Sequence, residues 1–246
     1  MASVAVILPA AGKSTRFGGP EKKPYTSLDG RAVWLRTVEL FVNRPEVRQV
    51  LLVIDPEDRE LVTSRYGATL MFMDITLVDG GSERFESVAN ALAKLRPEID
   101  LVAVHDAVRP CTPPAVINTV FALAEKTGAA LPGVPVADTL KRVDDTLRVR
   151  ETVPRQGLWQ AQTPQVFRRD WLTDAYARRG TLGASITDDA QLVEAAGYAV
   201  TMAQGSPFNL KITTAEDLKL AEMFLGKKEA EAVKKPARPF DDDRFE

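Results

Sequence analysis

The residues best suited to chemistry stand together near the start of this sequence. Val4-Ala5-Val6-Ile7-Leu8 is an unbroken apolar run, and Pro9-Ala10-Ala11-Gly12-Lys13-Ser14-Thr15-Arg16 follows it directly. Such a run reads as a strand buried on both faces. Ala10, Ala11 and Gly12 carry almost no side chain, so backbone N–H groups there can come close to an anion. Lys13, Arg16, Lys22 and Lys23 add positive charge to the same loop. The pattern proposes a phosphate site; it also reads as a solvated basic turn after a core strand. Gly12-Lys13-Ser14 resembles the end of a Walker A loop, but Ile7 stands where that motif needs its first glycine. A dinucleotide fingerprint fails as well, because Ser14 replaces its second glycine.

Five further groups of residues stand out, each with a plainer reading beside it. Gly80-Gly81-Ser82-Glu83-Arg84, with Ser87 one turn on, could present backbone groups and a hydroxyl to a ligand, or form a simple turn with Ser82 as helix N-cap. In Val104-His105-Asp106-Ala107-Val108-Arg109-Pro110, Asp106 is placed to hold a metal or a substrate hydroxyl, and Arg109 to grip a phosphate. The two could equally form a structural ion pair, and His105 reads as a packed core residue. Thr139, Arg155 and Thr163 lie in stretches that read as a polar hairpin and the strand returning from it. Thr187 reads as an N-cap before Asp188-Asp189, and Lys211 as a surface lysine at a strand end.

Strand and helix patterns alternate around these groups. Val50 to Ile54, a stretch around Leu70 to Leu77, and Leu101 to Val104 read as strands. Ala32 to Val42, a segment opening at Pro56, the stretch carrying Phe85, Val88, Leu92 and Leu95, and the residues after Pro113-Pro114 read as helices. That alternation predicts an α/β, Rossmann-like fold: a mostly parallel twisted sheet with helices on both faces. Ligands in such sheets sit beyond the carboxyl ends of the strands, so the first loop, the Gly80-Gly81 turn and the segment after Val104 should converge. After Ala130 the pattern becomes short and polar, predicting a protruding β-hairpin arm over about 135–158 with Asp144-Asp145 at its turn. Trp171 to Ala177 and Asp188 to Ala196 read as helices, followed by a last strand through Leu210 and a helix from Thr214 to Leu225. One domain over 1–226 and a charged, disordered tail over 227–246 complete the expectation.

Composition narrows the function. The 246 residues carry a net charge of −2, so no global field points to nucleic acid or a membrane surface. A lone Cys111 precludes an internal disulfide, and no apolar run reaches transmembrane length. Met1-Ala2-Ser3 leads straight into the first strand, leaving no room for a signal peptide, so a cytoplasmic protein is expected.

Pro9-Ala10-Ala11-Gly12, Arg16 and Lys23-Pro24-Tyr25 resemble the A-A-G-x-G-x-R and P-K-x-Y signature of nucleotidyltransferases with the nucleotide-diphospho-sugar transferase fold. Within that superfamily the sequence is similar to the cytidylyltransferases acting on 2-C-methyl-D-erythritol 4-phosphate, over about Val4 to Leu225. Ser14 and Lys22 depart from the signature. The resemblance implies Arg16 and Lys23 as catalytic residues and Mg²⁺ as cofactor. It implies CTP contacts at Pro9, Ala10, Ala11, Gly12, Gly81, Ser82, Ser87, Asp106 and Lys211. It implies polyol phosphate contacts at Asp106, Arg109, Thr139, Arg155, Thr163 and Thr187. It also implies a homodimer built through the arm, with Arg155 supplied across the interface. A ribitol 5-phosphate cytidylyltransferase, a sugar-1-phosphate nucleotidyltransferase and a non-catalytic nucleotide-binding regulator are the alternatives.

Overall fold

The computed structural model describes residues 1–12, 17, 21–181 and 187–233, with side chains to residue 226. Twelve strands form among the described residues: β1 Val4–Pro9, β2 Ser27–Leu28, β3 Arg31–Ala32, β4 Val47–Ile54, β5 Ile75–Asp79, β6 Leu101–Val104, β7 Ala129–Pro135, β8 Leu140–Val143, β9 Val149–Val153, β10 Trp159–Ala161, β11 Gln165–Arg168 and β12 Thr201–Gln204. The helices are α1 Val33–Val38, α2 Arg59–Phe72, α3 Arg84–Leu92, α4 Pro114–Thr127, α5 Arg169–Arg178, α6 Asp189–Ala195 and α7 Ala215–Val233.

Eight strands make one sheet in the order β10-β7-β11-β6-β1-β4-β5, with β12 also paired to β7. β6, β1, β4 and β5 run parallel, and β11 enters antiparallel between β6 and β7. The pleat sorts each strand's side chains between two cores. Val4, Val6 and Leu8 join Leu52 and Ile54 on one face, under Trp34, Phe41, Ile117 and Phe121. Ala5 and Ile7 join Leu51 and Val53 on the other, under Val88, Leu172, Leu192 and Val193. A third, smaller cluster packs Val108, Cys111 and Ile212 with Leu28, Val33 and Ala221, seating α7 beside the strand ends.

Four sequence expectations differ from this architecture. The stretch around Leu70 is not a strand: α2 runs through it to Phe72, and β5 begins at Ile75. The apolar run misleads because only Leu70 of Leu70-Met71-Phe72 is buried; Met71 and Phe72 are 84% and 90% exposed. Val134 and Pro135 belong to β7 in the main sheet, so the arm proper is the separate two-stranded sheet β8–β9. The last strand is β12, and Leu210 lies in irregular chain beyond it. Backbone there bonds to the loop after β6 instead of a sheet, with Ile212 N–H donating to Val108 O at 2.9 Å. Finally, α1 stops at Val38 and continues as turns, whereas α7 extends past Leu225 to Val233. The rest of the tail, 234–246, lies outside the described residues.

Candidate active site

A cleft of about 740 Å³ opens at the carboxyl ends of β1, β4, β5 and β6. The three segments expected to converge do so. Pro9, Ala10, Ala11 and Gly12 form one wall, Gly80, Gly81, Ser82 and Ser87 another, and Asp106 and Lys211 stand at its floor. All nine residues assigned to CTP on resemblance therefore line one cavity. Lys23 lines it too; Arg16, Lys13 and Ser14 lie outside the described residues.

The walls meet closely. A Cβ on Gly80 would fall 2.6 Å from the Ala11 Cβ, and one on Gly81 would fall 2.3 Å from the Glu86 Cβ, so both positions require glycine. The hydrogen bonding of this turn differs from expectation. Gly80 N–H donates to Ile54 O at 2.7 Å, Gly81 N–H to Ser87 Oγ at 3.1 Å, and Ser82 N–H to Glu86 Oε2 at 2.7 Å. The Ser87 hydroxyl in turn donates to Glu83 O at 3.1 Å. Ser87 is thus the brace of the turn, and the N–H groups of Gly80, Gly81 and Ser82 are committed to the protein's own acceptors. The N-cap of α3 is Glu83 in a capping box with Glu86, not Ser82. On the facing wall, Ala10 N–H donates to Val53 O at 2.7 Å and is committed to β4.

Asp106 organises the floor. Its Oδ2 receives Arg109 Nε at 3.0 Å and Lys211 Nζ at 3.1 Å. Burial pushes this carboxyl upward, but the charges of Lys211, Arg109 and Arg84 outweigh it and hold Asp106 well below the usual carboxylate range. Arg109 also donates through Nη1 to Asn209 O at 2.7 Å. It pairs with Asp106 beneath the floor rather than lining the cleft, the structural alternative raised for it. Lys211 sits in a loop, not at a strand end.

Several residues emerge that the resemblance did not assign. Lys22 lines the cleft with Nζ 2.9 Å from both Asp55 and Asp58, and Tyr25 OH reaches Asp58 at 3.2 Å. Burial lowers the Lys22 pKa, but hydrogen bonds to Asp58 and Asp55 outweigh it and raise the value. Arg84 reaches Asp189 at 2.7 Å; Asp189 is buried and also receives Tyr176 OH at 2.6 Å. No local spacing joins Lys22 to Asp55 or Arg84 to Asp189; only the fold does.

The polyol phosphate set is scattered. Thr163 is buried, its Oγ1 accepting from Asp106 N–H at 3.2 Å, so it supports the floor from below. Thr187 binds Gln191 Oε1 through N–H and hydroxyl, at 2.8 and 3.0 Å, while Asp188 takes the N-cap position. It borders a separate hollow of about 90 Å³. Thr139 and Arg155 are exposed next to the β8–β9 arm and do not line this cleft, and Arg155 donates to the Ala137 carbonyl. His105 is fully buried, as expected, and burial pushes it down to about 3.

Among the described residues no group of three or more His, Cys, Asp or Glu side chains is arranged to hold a metal. None of the described helices is long and apolar enough to cross a membrane.

Comparison with known proteins gives one consistent result. A family model described as 2-C-methyl-D-erythritol 4-phosphate cytidylyltransferase matches residues 4–227. A protein of that name from Solibacter usitatus is 41% identical over 244 residues, covering 94% of this chain and 98% of its own. A bifunctional enzyme IspD/IspF from Desulforudis audaxviator is 44% identical over 230 residues, covering 92% of this chain and 57% of its own. The crystal structure of 2-C-methyl-D-erythritol 4-phosphate cytidylyltransferase from Thermus thermophilus superposes with a TM-score of 0.75 at 32% identity. That match covers 91% of this chain and 98% of the other.

Proposed function

The chain belongs to the 2-C-methyl-D-erythritol 4-phosphate cytidylyltransferase family, and on that premise we propose how its cleft performs the transfer. The enzyme joins CTP and 2-C-methyl-D-erythritol 4-phosphate into 4-diphosphocytidyl-2-C-methyl-D-erythritol in isoprenoid biosynthesis. An oxygen of the acceptor phosphate attacks the α-phosphorus of CTP, the bond to the bridging oxygen breaks, and pyrophosphate leaves with that electron pair. The nucleophile is already ionised, so the protein's task is positioning and charge stabilisation.

The observation that carries this reading is the convergence of Ala11-Gly12, Gly80-Gly81, Lys23, Asp106 and Lys211 on one strand-end cleft. Because the N–H groups of Gly80, Gly81 and Ser82 are committed internally, the hydrogen bonding left to this turn is that of carbonyl acceptors. Carbonyls suit the exocyclic amino donor of cytosine and disfavour the carbonyl at the same position of uracil. Lys23 and Arg16 are assigned to the α-phosphate, where negative charge builds, and Lys211 to the phosphates on the opposite side. Asp106 keeps Lys211 oriented and faces the sugar hydroxyls.

Mg²⁺ is the cofactor we assign. The floor carboxylate is already taken by two cations, and no three-ligand cluster occurs among the described residues. That donor set fits an ion held chiefly by triphosphate oxygens and water. When bound, it neutralises charge on the triphosphate and the leaving pyrophosphate. Thr139 and Arg155 complete the acceptor site from the arm of a second subunit, in keeping with their absence from the lining of their own chain's cleft.

Pyrophosphate release with CTP and Mg²⁺, offering methylerythritol phosphate and ribitol 5-phosphate separately, tests the assignment. Turnover with the first and silence with the second is expected, and UTP should be a poor substitute for CTP. Turnover with ribitol 5-phosphate alone would retain the chemistry and overturn the acceptor.

A further inference from the structure

We propose that His105, held as its Nε2–H tautomer, is a positioning residue that fixes the Asp106 backbone through the Thr163 hydroxyl. Its purpose rests on the nucleotide-site reading of the cleft. His105 follows β6 directly, and its N–H donates to Ile7 O at 2.9 Å. The ring is fully buried and meets Phe41 edge-on, with centroids 5.0 Å apart. Nothing in packing alone requires an imidazole there.

Two contacts, one at each ring nitrogen, set the direction of the ring, and the Thr163 backbone also lies beside it. Nδ1 lies 3.0 Å from Thr163 Oγ1, and Nε2 lies 3.4 Å from the Arg109 carbonyl oxygen. A carbonyl only accepts, so Nε2 must carry a hydrogen. The Asp106 N–H only donates, so Thr163 Oγ1 accepts from it, at 3.2 Å. The remaining Thr163 hydrogen then points to Nδ1, which must be bare. The opposite tautomer would set the Nε2 lone pair against the Arg109 carbonyl lone pairs and take the Nδ1 acceptor away from the Thr163 hydroxyl hydrogen. The neutral state follows from burial, which makes a buried imidazolium costly.

This chain of bonds reaches both ends of the 106–109 loop. Asp106 N–H is held at one end and Arg109 O at the other, where Thr112 Oγ1 also donates at 3.0 Å. Thr163 O accepts from Asn209 Nδ2 at 2.7 Å, so the same threonine ties in the loop bearing Lys211. His105 touches neither the cleft nor a ligand site. It acts by holding Asp106, whose carboxylate orients Lys211.

His105 is the only histidine in the sequence, so ¹⁵N-histidine-labelled wild-type protein gives one imidazole signal. We expect a protonated Nε2 and an unprotonated, hydrogen-bonded Nδ1 at neutral pH. A protonated Nδ1, or an average of two tautomers, would overturn the proposal without any variant having to fold. His105→Asn keeps an acceptor near the Nδ1 position, and His105→Phe keeps only the shape. The Phe variant should raise KM for CTP by about tenfold or more, toward the hundredfold scale of a misplaced site, with the Asn variant close to wild type. A purely structural histidine would lower the active fraction and apparent kcat while leaving KM unchanged. Equal KM in both variants and the wild type would also overturn the proposal. Absence of turnover in the wild type would instead refute the functional reading and leave the tautomer result standing.

Discussion

Lys211 Nζ lies 3.1 Å from Asp106 Oδ2, joining the loop after β12 to the loop after β6 across the floor of the cleft. The carboxylate is 11% exposed and the lysine 42%, so one partner is anchored and the other reaches solvent. That asymmetry suits a lysine held in place for an incoming anion.

Replacing the two partners should therefore have different consequences. Asp106→Asn leaves Arg109, itself only 11% exposed, without its counter-charge, and should destabilise the fold by about 3 kcal/mol, as for other broken buried pairs. Lys211→Met should leave the melting temperature nearly unchanged and raise KM for CTP. Thermal melts and steady-state kinetics separate the two. A Lys211 variant that melts early but binds CTP normally would reverse the assignment.

Lys22 and Lys23 are neighbours with separate tasks. Lys22 is anchored to Asp55 and Asp58, fixing the segment from which Lys23 enters the cleft. Lys23→Ala should lower kcat by about 10²–10³, the scale for losing one contact to developing charge. Lys22→Met should lower kcat by about tenfold through loosened placement of its neighbour. Rapid-quench single-turnover rates measure both. A Lys22→Met enzyme with wild-type kcat would show that Pro24 and Tyr25, both buried, hold the segment unaided.

Gly80 tests the closeness of the walls. In Gly80→Ala the new methyl meets Ala11 Cβ at 2.6 Å and Ser87 Oγ at 2.9 Å. Relief requires the two walls to part, at a cost of about 1–3 kcal/mol. Calorimetric CTP affinity should fall by at least tenfold with secondary structure retained. Unchanged affinity would mean that the turn does not contact the nucleotide.

The parts of this architecture that were legible in sequence were those with local causes. β1, β4 and β6 are short apolar runs between breakers, and the positions of the first loop, the Gly80-Gly81 turn and Asp106 follow from their place at strand ends. Leu70-Met71-Phe72 misled because apolar side chains at a helix end carry no local mark of exposure. The partners of Lys22 and Arg84, and Lys211 as a partner of Asp106, come from distant segments, and only the assembled fold brings them together. Ser87 and Thr163 show a further limit. Their hydroxyls are committed to the protein's own groups, a choice set by neighbours a few ångströms away rather than by residue type.

Acid stability should bear the mark of His105. Its unfolded pKa is about 6.5 and burial holds the folded value near 3, so in that window the unfolded chain binds the extra proton. Stability then rises with pH and is lost as pH falls below about 6.5, at up to about 1.4 kcal/mol per pH unit. Asp106 acts in the same direction at lower pH, because its folded pKa is depressed. Denaturant unfolding of wild type and His105→Asn between pH 6.5 and 5 isolates the histidine. Wild type should lose stability more steeply, and parallel profiles would refute the buried neutral imidazole.

Arg155 decides whether the site is shared between subunits. It is exposed on the segment leaving β9, does not line the cleft of its own chain, and its guanidinium is turned to Ala137. If the partner's cleft uses it, a Lys23→Ala subunit and an Arg155→Ala subunit complement each other. One cleft of the mixed dimer then lacks both groups, and the other has Lys23 from its own chain and Arg155 from the partner. Random reassortment makes half of the dimers mixed, each with one intact site, so activity should recover to about a quarter of wild type. If each cleft uses its own Arg155, both sites of the mixed dimer are defective and mixing restores nothing. Co-refolding the two variants and measuring pyrophosphate release distinguishes these outcomes, with size-exclusion chromatography confirming that dimers have formed.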